Sequence, residues 1–147
     1  MIRIEQKGIQ VLLDHLIDTF FVDGENYRFD TWFGSDMEPM ESDICEFIYR
    51  QLNKKLTSLD LYLERSDVSF GENTDFEISD KALKMLTEKI SKKMETPVGK
   101  NDIEYAFGRA IDTELEIKDV AKFFVRQIEL IVRFNFEFDN FDKYISF

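Results

Sequence analysis

One cysteine, one histidine, two prolines and six glycines in 147 residues leave little material for the commoner kinds of protein chemistry. The lone Cys45 cannot close an internal disulfide, whereas small secreted domains usually rely on several bridges, so a cytoplasmic location is expected. The opening Met1-Ile2-Arg3-Ile4-Glu5 lacks the charged-then-apolar architecture of a signal peptide and points the same way. Long apolar runs are missing too. Even Phe123 to Phe138 is interrupted by Arg126, Glu129, Arg133 and Glu137, so no membrane partner is expected.

With a single histidine, His15, a general base of the commonest type is this residue or none. Helical spacing puts it opposite an apolar stripe, near Asp14 and Asp18, where an exposed imidazole paired with a carboxylate is expected. A metal site wants more imidazole or thiolate than the chain contains. Cys45 sits between Ile44 and Ile48 on the apolar side of a helix and reads as a small buried hydrophobe. No serine lies in a Gly-x-Ser-x-Gly turn. The scattered glycines form no phosphate loop, and Asp23-Gly24-Glu25-Asn26 lacks the alternating ligands of a calcium loop. The reading is therefore non-catalytic, with no cofactor. A divalent-metal carboxylate enzyme is the class least excluded, because carboxylates are abundant.

What the chain does have is aromatic and acidic side chains. Fifteen Phe, five Tyr and one Trp, within a hydrophobic fraction of 44%, can offset the entropy of ordering the backbone. No Gly-, Pro- or Ser-rich linker divides the chain, so one domain over 1–147 is expected.

Ile9, Leu12, Leu13, Leu16, Ile17 and Phe20 make an apolar stripe that predicts a helix near 6–21. The turn at Asp23 to Asn26 then leads into Tyr27 to Phe33, whose alternation predicts a strand, and a loop from Gly34 to Glu38 follows. A second helix runs from Pro39 to about Leu56. Leu59, Leu61 and Leu63 alternate with polar residues as the clearest strand, with Val68 and Phe70 expected to pair back on it. Phe76 and Ile78 give a short extended piece after the turn at Gly71 to Asn73.

Ser79 or Asp80 caps a third helix through Met94, which Thr96-Pro97-Val98-Gly99 breaks. Capping-box spacings at Asn101/Glu104 and Thr113/Glu116 open a fourth helix, through Ile111, and a fifth. From Val120 to Val132 the polar side chains keep to a narrow arc, which marks the central, buried helix. Phe134, Phe136 and Phe138 alternate like a strand, yet Phe134, Phe138 and Phe141 also fit a helix; helix to about Phe136 and irregular structure beyond it is the reading. The predicted class is α+β and predominantly helical: about five helices around a buried C-terminal helix, with a small antiparallel sheet.

The net charge of −11, from 19 basic and 30 acidic residues, disfavours direct nucleic-acid binding and favours a basic protein partner. The charge is segregated. From Asp23 to Glu46 stand eight acidic residues and one basic one, Arg28, whereas Ser79 to Lys100 carries six Lys against Asp80, Glu88 and Glu95. Carboxylates steer a basic partner and answer its Arg and Lys, while Tyr and Trp supply anchors. The candidate partner-binding residues are accordingly Asp23, Glu25, Tyr27, Asp30, Trp32, Asp36, Glu38, Glu41, Asp43 and Glu46.

In size, charge and missing catalytic residues the chain resembles the small acidic immunity proteins that bacteria pair with nuclease toxins, including those of contact-dependent inhibition systems, and acidic phage inhibitors of nucleases. The resemblance covers no motif, so no family residue is carried over. It implies an acidic face that occupies the basic substrate groove of a cognate nuclease. A helical adaptor that self-associates through the Phe-rich surface near Phe134 to Phe147 is the second reading.

Overall fold

The computed structural model describes residues 1–20 and 39–147. The turn at Asp23 to Asn26, the strand expected at Tyr27 to Phe33 and the loop from Gly34 to Glu38 lie outside the described residues. Among the described residues the chain forms five α-helices and one small antiparallel sheet, a predominantly helical α+β fold. In chain order these are β1 (Ile2–Ile4), α1 (Gln6–Phe20), α2 (Glu41–Thr57), β2 (Val68–Ser69), β3 (Phe76–Ile78), α3 (Asp80–Lys93), α4 (Pro97–Phe107), α5 (Ile117–Phe136) and β4 (Ile145–Ser146).

α5 is the central element. Val120, Ala121, Phe123, Phe124, Ile128, Val132 and Phe136 are buried along it, and it packs against α1, α2 and α3. Each of these side chains larger than Ala121 contributes roughly 1.5–3 kcal/mol on leaving water, so this one face outweighs any single polar contact in the fold. The helix begins at Ile117 rather than at Thr113, because the Asp119 carboxylate accepts from the Glu116 backbone N–H at 2.9 Å and fixes the cap there. It ends at Phe136, as the sequence predicts, with Glu137 in the left-handed region at φ 54°.

α3 is capped by Ser79, whose hydroxyl accepts from Ala82 N–H. The fourth helix corrects the sequence reading at both ends. Thr96 caps it, accepting from Gly99 N–H at 3.1 Å, and Pro97 stands at its first position, so the four residues read as a break are the start. Its end is Phe107, not Ile111, because Gly108 takes φ 72° and its N–H returns to the Glu104 carbonyl. The Glu104 carboxylate receives Ile111 N–H instead of closing a capping box.

The sheet has strand order β2-β3-β1-β4, all antiparallel, with Ile2 opposite Ile78, Arg3 opposite Glu77, Val68 opposite Ile78 and Ile4 opposite Ile145. Ile2, Ile4, Phe76 and Ile78 point into the core, while Arg3 and Glu77 pair on the outer face at 3.2 Å. Two corrections follow. Leu59, Leu61 and Leu63 are buried in alternation, yet they join no sheet, and Val68 pairs with β3 rather than with them. The segment after α5 is also more ordered than expected: a 3₁₀ turn at Phe141–Tyr144 leads into β4, which borders β1.

Candidate partner-binding surface

Of the ten candidate residues, Asp23, Glu25, Tyr27, Asp30, Trp32, Asp36 and Glu38 lie outside the described residues. Glu41, Asp43 and Glu46 fall on the first two turns of α2, where acidic side chains complement the helix dipole as Lys54 and Lys55 do in the last turn. Their surroundings differ. Glu41 is only 7% exposed and accepts from the Gln6 side-chain amide at 3.0 Å, which ties α2 to the start of α1. Asp43 accepts from Met40 N–H at 2.9 Å and caps the helix. Glu46 pairs with Arg50 one turn on, at 3.0 Å, and of the three it is the one that, among the described residues, is committed only to a surface ion pair.

Beneath these carboxylates α2 turns its apolar side inward through Ile44, Cys45, Ile48 and Leu52. Burial pushes the Cys45 thiol up to about 12, with the charges of Glu41 and Glu72 adding to it and Arg65 opposing. A thiol held neutral in this way packs as a hydrophobe and does not act as a nucleophile at ordinary pH. Tyr49 is also pushed up to about 12, first by burial and then by its hydrogen bond with Tyr62; its hydroxyl donates to Leu63 O at 2.8 Å.

Outward, α2 is flanked by two grooves. One, of about 620 Å³, runs from Glu46 and Arg50 to Tyr62, and the other, of about 450 Å³, lies between α2 and α5 beneath Phe134. Tyr62 is 55% exposed and Phe134 is 73% exposed. Phe134 is the aromatic expected to serve self-association; Tyr62 is not among the expected residues, although its place on the polar side of the Leu59/Leu61/Leu63 alternation signals exposure. A surface with aromatic side chains standing in concavities and a mixed-charge rim has the composition of a protein-binding face.

His15 departs from its expected surroundings. It pairs with neither Asp14 nor Asp18; its Nε2 lies 2.7 Å from the Phe136 carbonyl, and its ring meets Phe138 edge-on at 5.2 Å. The imidazole thus engages the end of α5. Glu129, on the same helix, is raised by burial and by the charge of Asp142, with Arg133 and Arg126 opposing. Among the described residues no group of three His, Cys, Asp or Glu is placed to hold a metal ion, and no helix is long and apolar enough to cross a membrane. No family model matches the chain, and no curated protein or solved structure is significantly similar to it.

Proposed function

We propose that this chain is a non-catalytic binding protein that acts in the cytoplasm as an inhibitor of a basic protein partner, of which a nuclease toxin is the best fit. The observation that carries the reading is the segregation of charge: eight acidic residues against one basic residue from Asp23 to Glu46, in a chain of net charge −11. An acidic face of this kind competes with nucleic acid for the same Lys and Arg groups of a nuclease groove. The segment leads directly into α2, where Glu46 stands beside the groove that ends at Tyr62. Glu46 and an aromatic anchor are thus neighbours.

The test uses the product of the adjacent coding sequence. Titration calorimetry and stopped-flow association at several salt concentrations should give a tight complex whose on-rate falls steeply with ionic strength. Reversal of Asp23, Glu25, Asp30 and Glu46 to Lys should slow association at least tenfold and flatten the salt dependence. Glu41 is left alone because its burial would confuse folding with binding. A neighbouring product that is not basic, or association insensitive to the reversals, removes the assigned face.

The second reading, self-association as a structural or adaptor domain, is favoured by the exposure of Phe134 over an apolar groove. Sedimentation at several concentrations separates the two.

A further inference from the structure

A cleft of about 180 Å³ opens where the end of α4 meets the first half of α5, lined by Phe107, Arg109, Asp119, Lys122, Phe123 and Arg126. Its floor is aromatic: the Phe107 and Phe123 rings stack at 4.4 Å between centroids and 3° between planes. Its rim is cationic. Lys122 and Arg126 are one turn apart on the same side of α5, a like-charge spacing that destabilises a helix. Arg109 joins them from the loop after Gly108.

The one carboxylate in the cleft is already committed. Asp119 Oδ2 accepts from Glu116 N–H at 2.9 Å, and its Oδ1 faces Arg109 Nη2 at 3.4 Å. Among the described residues neither Lys122 nor Arg126 has a carboxylate within ion-pair distance, and Glu129 feels the Arg126 charge only from farther away. What sets these two cations apart is the stacked aromatic floor beneath them, in a chain whose 30 acidic side chains give it the opposite net charge.

We propose that this cleft is an anion site that takes a phosphate group, free or as a small monoester. The Arg126 guanidinium offers a forked pair of donors to its oxygens, Lys122 adds a point charge, and Arg109, whose Nη groups hold the Asp119 carboxylate and the Ala110 carbonyl, adds positive charge at the rim. The volume suits one phosphate with a short substituent. A nucleic acid is excluded as the ligand, since the net charge of −11 repels a polyanion and the cleft cannot follow a strand.

The experiment is thermal unfolding of the full chain in sodium phosphate against sodium chloride at matched ionic strength, with ³¹P line broadening as the direct readout. About 20 mM phosphate should raise the melting temperature by roughly 2–4 °C over chloride. Lys122→Ala with Arg126→Ala should abolish both that increment and the line broadening, while Lys84→Ala with Lys89→Ala on α3 keeps them. Glycerol phosphate in place of inorganic phosphate distinguishes an ester ligand from the free ion by which of the two stabilises more.

Arg126 also lies over the turn that ends α4, with its Nη1 3.9 Å from where a Cβ on Gly108 would stand. If it serves only the helix end, the double variant melts lower in chloride, and phosphate neither stabilises the parent nor broadens its line. That result, or an equal increment in the α3 control variant, overturns the site.

Discussion

The side-chain amide of Asn53 pairs with both backbone groups of Leu63: Nδ2 donates to the Leu63 carbonyl at 2.9 Å and Oδ1 accepts from its N–H at 2.8 Å. This is the hydrogen-bond pattern of a neighbouring strand, supplied by one side chain of α2. It satisfies the backbone of a buried, extended residue that has no strand partner among the described residues. Asn53→Ala strands Leu63 N–H in the core, so we predict a loss of about 2–3 kcal/mol in urea unfolding. Tyr49→Phe, which leaves the Asn53 amide on the same carbonyl, should cost only about 0.5–1.5 kcal/mol. Because both donors share that oxygen, the double variant should deviate from the sum by more than about 0.5 kcal/mol.

That pair also explains why the chain was legible in parts. The alternation of Leu59, Leu61 and Leu63 with polar neighbours reports burial, and burial is what the structure has. It does not report what satisfies the backbone, and here a side chain ten residues upstream does so. The α1 and α5 stripes were readable because a helix closes its own hydrogen bonds. β1 was not: three residues are too few for a period, and its partner β3 lies more than seventy residues on.

Local spacing suggests Asp14 and Asp18 as neighbours of His15 for the same reason, since the Phe136 carbonyl it meets stands 121 residues away in sequence. At the candidate surface, composition alone revealed the acidic segregation. The burial of Glu41 depends on Gln6, 35 residues away, which no local pattern announces.

Cys45 makes stability depend on alkaline pH. The folded chain holds the thiol neutral, raising it from the ordinary 9.0 to about 12, so the unfolded chain releases its proton first. Stability from this group is complete below pH 9 and declines through pH 12, at up to ~1.4 kcal/mol per pH unit. Tyr49 adds its own decline from its ordinary 10.0 upward, so the window from pH 9 to 10 isolates the thiol. Urea midpoints should fall across that window in the parent and stay nearly flat in Cys45→Ala. Equal slopes in the two proteins would show that the thiol ionises as freely folded as unfolded.

Gly99 is a helical position where alanine should not help. In an exposed helix Gly→Ala gains about 1 kcal/mol. Here a Cβ would run into the Lys93 carbonyl at the end of α3, and it would also press on the Thr96 hydroxyl that caps α4. Backbone cannot rotate away as a side chain can, and such overpacking costs roughly 1–3 kcal/mol or more. Gly99→Ala should therefore lower the melting temperature, whereas Gly71→Ala, whose nearest neighbour is a Thr74 methyl at 3.7 Å, should leave it within about a degree. A stabilised Gly99→Ala protein would mean that α4 does not abut α3 in this way.

Phe134 and Phe136 are two residues apart and should behave as opposites. Were this segment a strand, as their alternation allows, both would face the same side and respond alike. On α5 they are separated by about 200°, which leaves Phe134 73% exposed and Phe136 fully buried against Phe47, 5.6 Å away between ring centres. Phe136→Ala should cost about 3–5 kcal/mol in urea unfolding, through lost burial and the cavity left behind. Phe134→Asp should change stability by no more than ~0.5 kcal/mol. If the chain self-associates through the groove under Phe134, the same substitution should shift sedimentation to the monomer at every concentration. If partner capture uses that groove instead, the monomer is already present in the parent, and the loss appears as a faster off-rate from the partner.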